Sequence, residues 1–476
     1  MSRVFNFFFV SDKLVCLHLK DNSNMAAICK NNADNILELT FYECQNALKN
    51  REIKKDILLF YLNLSIDVLK SAFEFVCSNI ALILFIVAIS VLLVIVYRSY
   101  VNPVLYKKEL TEIGFDHIAA GPDRDRRISR AQATRRMGSK IPPPYPNGWF
   151  AVGESRELKV GDVTAVDVMG LNLCVYRGED GVARCVDAYC PHLGANLAVG
   201  GSVCGSCIEC PFHKWRFGAD GACVSVPGLE RPPKGVSIKQ WLTVEIDGAV
   251  WIWYDAENRP PMWTVREDPA LSSWQYRGRN EFTVSAHIQE IPENGADVAH
   301  LNAVHSPSLL SSLGEKYPLL YDFIGCHVWS ANWARGEDHT AVMSLTHDYK
   351  LLKYNLCHID VNVTQIGPGH VRLMMWSPVG PILVSQSVTP LGPSLQKVVH
   401  RMFSPWYNAP FAALLVKSEG AMFERDITIW NSKRFVSAPA YVTSDKTIRA
   451  FRNWFAQFYS THSISFRDAN QNTLDW

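Results

Sequence analysis

The chain reads as an α+β protein in three parts. An apolar helix near the N-terminus spans a membrane, a small all-β domain holds a metal cluster, and a larger α+β domain holds a second metal. Three stretches predict this. Ile80 to Tyr97 is an unbroken run whose only polar member before Tyr97 is Ser90. Cys190-Pro191-His192 and Cys210-Pro211-Phe212-His213 form two matched Cys/His pairs. Asp297-x-x-His300-x-x-x-x-His305 offers a carboxylate and two imidazoles. At 476 residues the chain has room for two or three full cores. A formal net charge of +1 gives no field for nucleic acid. Thirteen scattered cysteines, an odd number, argue against a secreted disulfide framework and for reduced, cytosolic-type thiols.

Residues 1–75 carry no clear signal. Phe7-Phe8-Phe9-Val10 is too short for a signal-peptide core, and Asp56 to Phe73 has the apolar spacing of an amphipathic helix. Residues 76–98 are long and apolar enough to cross a bilayer as one helix. Arg98, Lys107 and Lys108 follow it, which places everything C-terminal to it in the cytosol and makes this a single-pass membrane protein. Residues 99–146 are expected to be a juxtamembrane linker. Arg124 to Lys140 holds seven basic residues against Asp125, and either lies on anionic headgroups or is solvated. Pro142-Pro143-Pro144-Tyr145-Pro146 is a stiff spacer.

Residues 147–260 show short strands separated by turn residues. Leu171–Val175 and Val182–Val186 flank Gly178-Glu179-Asp180-Gly181; Leu242–Ile246 and Val250–Tyr254 flank Asp247-Gly248. The metal pairs fall on loops of this β domain, seventeen residues apart. Cys190 and Cys210 on one iron with His192 and His213 on the other are the ligand set of a Rieske-type [2Fe–2S] centre. Zinc on Cys204, Cys207 and Cys210 is the rival reading, and it strands Cys190 and His192. Under the cluster reading Cys204 and Cys207 are left over.

Residues 261–460 are mixed. Strand patterns occur at Phe282–Ile288, His339–His347, Cys357–Gln365, Val371–Trp376 and Ile382–Thr389; helical patterns occur at Asn294–Val304 and Pro410–Trp430. Residues 461–476 are a tail. On a helix, Asp297 and His300 share a face, and His305 needs a bend or the helix end to join them. Two His and one carboxylate hold ferrous iron with open positions. Asp426 is the expected third ligand, with Glu424 as the fallback. His287, His327, His339, His347, His358 and His370 are expected to be structural or substrate-facing. Leu309, Leu310, Leu313, Met374, Met375 and Trp376 are candidates for an apolar pocket wall or for ordinary core. No Gly-x-Gly-x-x-Gly follows a strand, so NAD(P)H is expected to act through a separate reductase.

Together these motifs resemble the Rieske non-haem iron oxygenases. With Pro144-Tyr145-Pro146-Asn147-Gly148-Trp149-Phe150 and Glu293-Asn294-Gly295-Ala296-Asp297-x-x-His300, the layout resembles the Neverland group, the animal cholesterol 7-desaturases. The likeness covers roughly Ser99 to the C-terminus. It implies a Rieske domain beside a helix-grip (START-like) catalytic domain, assembled as a head-to-tail homotrimer. It implies that Asp297 bridges the cluster of one subunit to the iron of the next, with Asn294 in the same catalytic motif. It further implies a sterol substrate, O₂ and electrons from a reductase, removal of hydrogen from C7 and C8 of cholesterol, a place early in steroid hormone synthesis, and residence in the endoplasmic reticulum. A Rieske hydroxylase or N-demethylase is the alternative enzyme. A membrane-anchored Rieske electron carrier and a zinc-bearing sterol-binding protein are the non-enzyme alternatives.

Overall fold

The apolar run is the last part of one long helix. The computed structural model describes residues 51–133, 140–308, 325–352 and 354–472, with residues 135 and 138 and four strands between residues 6 and 39. The chain divides into two units, residues 1–94 and 95–476. In the first, β1 (Asn6–Val10), β2 (Lys13–Leu19), β3 (Met25–Lys30) and β4 (Ile36–Leu39) form an antiparallel sheet in sequence order. Helix α1 runs from Arg51 to Val101 and absorbs the amphipathic and apolar segments alike. Within it, Ser78–Val101 is long and apolar enough to cross a membrane. Leu84, Phe85, Leu92 and Leu93 are exposed around its surface, as a helix facing hydrocarbon requires and a core helix does not.

The second unit begins differently from expectation. Residues 99–146 are not a free linker. β5 (Val104–Lys108) pairs in parallel with β17 (Gln275–Val284) of the catalytic sheet, and Gly278 leaves no room for a Cβ beside the Val104 backbone. Helix α2 (Arg124–Ala133) buries Ile128. Arg135 and Gln132 donate to main-chain carbonyls of Asn431, and Arg135 also reaches the Ser285 carbonyl. Arg124, Arg127 and Arg135 thus satisfy main-chain carbonyls, a pairing no local pattern reveals.

The β domain follows as three small sheets. β6 (Gly148–Glu154) pairs with β16 (Ala249–Tyr254), which pairs with β15 (Thr243–Ile246). β7 (Val163–Val168), β8 (Leu171–Arg177), β9 (Ala183–Asp187) and β14 (Gln240–Trp241) form the second. β10 (Ser202–Cys204), β11 (Cys207–Glu209), β12 (Arg216–Phe217) and β13 (Cys223–Ser225) form the third, which carries the second ligand loop. The Asp247-Gly248 hairpin forms as the sequence predicts, with both residues at positive φ.

The rest is one eight-stranded sheet with helices on it. Besides β5 and β17 it contains β18 (Cys326–Arg335), β19 (Thr340–Leu351), β20 (Tyr354–Ile366), β21 (His370–Ser377), β22 (Gly380–Gly392) and β23 (Leu395–Ser404), in the order β18-β19-β20-β21-β22-β23-β17-β5. The helices are α3 (Glu290–Glu293), α4 (Val298–Val304), α5 (Ala409–Trp430), α6 (Lys446–Phe455) and α7 (Phe466–Asn472).

Strand alternation gives this sheet two jobs. Val371, Leu373, Met375 and Gln386 face a cavity under α5. Their neighbours His370, Arg372, Ser385, Ser387 and Thr389 face the β domain. There Arg372 donates to Asp247, Arg401 to Glu154 and Thr389 to the Ala151 carbonyl. Trp149, Phe150 and Trp251 of the β domain share one apolar core with Phe282, Val361 and Trp454. Burial at that junction is worth about 1.5–3 kcal/mol per large side chain.

Candidate metal centres

The cluster motif folds into two loops that meet. Cys190 and Cys210 are buried in a core with Tyr176, Val186, Leu197, Ile208 and Phe217. The Cys190 amide donates to Ala195, and the Gly194 amide returns to the Cys190 carbonyl, closing a tight loop. The Cys210 amide donates to Trp215, and Lys214 takes a left-handed turn to close the second loop. Burial, foremost, pushes the Cys190 thiol up, and the adjoining Cys210 sulfur adds to this. The imidazoles of His192 and His213 lie edge to face, 4.6 Å between centroids, and His192 stacks on Trp215. Two sulfurs inside and two rings outside fit a [2Fe–2S] group whose inner iron takes thiolate and whose outer iron takes imidazole. Cys204 and Cys207 lie outside that set.

The second centre is built where α4 meets α5. Asn294 to Val304 is not one helix: α3 ends at Glu293 and α4 starts at Val298. Asp297 is therefore a cap rather than a member of a helix face shared with His300. Its φ of −91° and ψ of 84° are non-helical, and its carboxylate accepts from the His300 amide at 3.2 Å. The Asp297 carbonyl takes a hydrogen bond from His300 Nδ1. That contact fixes the tautomer and leaves Nε2 as the free lone pair. His305 is the C-cap of α4, so the helix end supplies the turn its spacing needs.

Asp426 arrives from α5. His300, His305 and Asp426 place ligand atoms within 4.8 Å of one another, the one such group of three among the described residues. His305 Nε2 and Asp426 Oδ2 are 3.1 Å apart. Arg425, the residue before, donates to the carbonyls of Val304 and Pro307 and pins the segment behind His305. A buried imidazole and carboxylate with a half-buried second imidazole fit a divalent iron with open positions. Glu424 points away and accepts from the Tyr106 hydroxyl, so the fallback ligand is not brought to this site.

The cavity beside this triad measures about 310 Å³. Met343, Leu345, Val361, Leu373, Met375 and Phe423 are among its walls, and Asn294 also lines it. Met375 lines it as expected; Met374 and Trp376 do not, since neither is among its lining residues and Trp376 is exposed. Leu309, Leu310 and Leu313 lie outside the described residues. Sequence reasoning left His327 and His347 as structural or substrate-facing and did not pair them; the fold brings both here. His327 and His347 line the cavity and bond to each other, Nδ1 to Nε2, at 2.7 Å. Burial, chiefly, pushes both down to about 4, so both are neutral at pH 7. They sit on adjacent long strands, a pairing visible only once the register is known.

Comparison with known proteins agrees with this architecture. Residues 148–242 match the Rieske [2Fe-2S] domain family, and residues 252–459 match the 3-ketosteroid 9alpha-hydroxylase C-terminal domain family. A Bombyx mori protein named cholesterol 7-desaturase nvd is 66% identical over 91% of this chain and 96% of its own length. A Drosophila melanogaster protein of the same name is 42% identical over 69% of this chain and 79% of its own. The Bombyx alignment reaches into the first 75 residues, so the likeness is wider than Ser99 to the C-terminus. Among solved structures, dicamba monooxygenase bound to dicamba matches with a TM-score of 0.50 at 16% identity, covering 66% of this chain and 97% of that one; it shares the fold. By its domain matches and its identity to these relatives, the chain belongs to the cholesterol 7-desaturase family of Rieske oxygenases.

Proposed function

We propose that this chain desaturates cholesterol between C7 and C8, giving 7-dehydrocholesterol, with O₂ and with electrons from a separate NAD(P)H-dependent reductase. The observation that carries the reading is one apolar cavity with the His300, His305 and Asp426 triad in its wall. The relatives' names supply the sterol and the position attacked. When bound, the Rieske cluster supplies single electrons and the mononuclear iron supplies O₂ chemistry.

The chain's own residues do the rest. Cys190, His192, Cys210 and His213 hold the cluster; His300, His305 and Asp426 hold the iron. Asp297 fixes both the start of α4 and the tautomer of His300, so it sets the aim of one ligand. The Leu, Val, Met and Phe walls exclude water from the reacting carbon and hold the ring system by shape. The polar groups of the lining, Asn294 and the neutral His327–His347 pair, are where a substrate oxygen or a water would find a partner.

The cluster domain and the cavity occupy opposite faces of the sheet, which favours transfer between copies over transfer within one chain. His192 is exposed, and exposed Tyr189, Leu193, Val199 and Phe212 lie on or beside the two ligand loops, apolar surface fit for a second copy. A head-to-tail trimer meets that geometry, with Asp297 as the bridge. Ser78–Val101 serves as the anchor that keeps the pocket near a sterol-bearing membrane, the catalytic part in the cytosol and the membrane that of the endoplasmic reticulum.

The test is reconstitution with a ferredoxin-type reductase, NAD(P)H, O₂ and cholesterol, followed by mass analysis of the sterol. A product two hydrogens lighter is expected. The match to a ketosteroid hydroxylase domain gives a second reading its footing. A product heavier by one oxygen would replace desaturation with hydroxylation, and an unchanged sterol with full iron loading would remove cholesterol as substrate.

A further inference from the structure

Two cysteines stand opposite each other on the hairpin that delivers a cluster ligand. In the β10–β11 ladder Ser202 faces Glu209, Val203 faces Ile208, and Cys204 faces Cys207. Only Gly205 and Ser206 lie between, and Gly205 takes the left-handed conformation the turn needs, φ 63°. Facing residues of an antiparallel pair have Cα atoms about 4.5–5.5 Å apart. That range falls within the roughly 4.4–6.8 Å a disulfide accepts without backbone movement. Both residues are free thiols here, and both are half-buried rather than sealed in the core.

The surroundings hold the pair in place. The Glu179 amide donates to the Gly205 carbonyl at 2.8 Å, and the Tyr176 hydroxyl donates to the Ser206 carbonyl at 3.2 Å, so the tip is pinned. Arg216, on the next strand, bonds to Glu209 at 2.8 Å and holds the base of the same hairpin. The structural alternative, small apolar residues in a core, fits Cys174 and Cys185, which are buried. It does not fit a facing, half-buried pair flanking a two-residue turn.

We propose that Cys204 and Cys207 form a reversible dithiol–disulfide pair, a redox modification site separate from the cluster ligands. The oxidant is a low-molecular-weight disulfide of the glutathione class. One protein thiolate attacks a sulfur of that disulfide, forming a mixed disulfide and releasing one small thiolate. The second protein thiolate attacks the protein sulfur of the mixed disulfide and releases the other. The pair gives up two protons and two electrons; the small disulfide takes them and becomes two thiols. The closed ring spans only four residues, so it constrains the unfolded chain little and stays readily reducible. Its effect is local. β11 ends at Glu209 and the next residue is Cys210, so cross-linking at Cys207 fixes the strand that feeds the ligand loop.

The test uses the full chain with its cluster loaded, equilibrated anaerobically in glutathione buffers of graded reduced-to-oxidised ratio. Free thiols are trapped with iodoacetamide, and the peptide holding residues 204–207 is weighed. The expected result is a graded loss of two hydrogens from that peptide, reversed by reduced glutathione, while the visible cluster absorption stays constant. In Cys204→Ser the same peptide should lack the internal disulfide, again with unchanged absorption, which also reports that the variant is folded. Alkylation of both thiols at every ratio would overturn the proposal, as would one glutathione on each cysteine without internal pairing. Bleaching of the cluster in step with thiol loss would also overturn it, because the oxidised sulfurs would then be Cys190 and Cys210.

Discussion

Asp247 and Arg372 join the cluster domain to the catalytic sheet. Nε and Nη2 of Arg372 donate to the two Asp247 oxygens at 2.7 and 2.9 Å. Ser385 Oγ adds a third bond at 3.0 Å, and His370 lies at 3.2 Å. The carboxylate is fully buried, at the tip of a hairpin where it holds φ at 50°.

Removing that charge leaves Arg372 facing a neutral, buried partner. Asp247→Asn should cost about 3–5 kcal/mol, read by denaturant unfolding. The acid limb should change too. Burial opposes ionisation of Asp247, but hydrogen bonds from His370 and Arg372 outweigh it and hold the carboxyl well below its ordinary 3.8. A carboxyl with a depressed folded value contributes stability above its unfolded value and loses it as pH falls below. The wild type should therefore lose stability steeply below about pH 4, and Asp247→Asn should lose less there. Equal slopes would show that this carboxylate does not govern acid unfolding.

His300→Ala should abolish turnover, a fall of at least about a hundredfold, and should lower mononuclear iron content without changing cluster absorption. Iron analysis with visible spectroscopy checks it. Turnover that survives would end the two-metal reading.

Capping and the proposed bridging are separable at Asp297. Asn is as good a helix cap as Asp, whereas Ala costs about 0.5–2 kcal/mol. Asp297→Asn should keep the melting temperature of the wild type and still lose most turnover, because the bridging charge is gone. Asp297→Ala should lose both. If the Asn variant turns over normally, capping is the whole role of this residue.

Transfer between copies predicts complementation. Cys210→Ser lacks the cluster and His300→Ala lacks the iron, so each alone should be inactive. Co-expressed, they should recover a measurable fraction of wild-type turnover, since a mixed assembly contains pairs with one good cluster facing one good iron. No recovery in verified mixed assemblies would place transfer within one chain.

The convergence of the candidate metal residues was legible because it is written in residue type and spacing. Cys190, His192, Cys210 and His213 need only two tight turns to converge, and Gly194 with Lys214 provides them. The helix carrying His300 was harder. Asn294 to Asp297 looks helical by composition, yet the helix starts at Val298, because an Asp with a free amide three residues on satisfies that end as a cap. β23 was missed for another reason: His400 and Arg401 interrupt its apolar pattern, and both are buried on partners 19 and 247 residues away in sequence. β5 was missed because a parallel edge pairing with β17 has no local signature. For both strands the missing information was the identity of a distant partner.

The pleat of β21 and β22 has a further consequence. A layer of hydrogen-bonded backbone separates the face that docks the cluster domain from the face that bears the substrate chamber. Such a layer insulates as well as supports. Under the proposed transfer between copies, a solitary polypeptide would take up electrons without passing them to its own iron. Dilution would then act as a brake on the enzyme, and wasteful reduction of oxygen would be held back until copies meet.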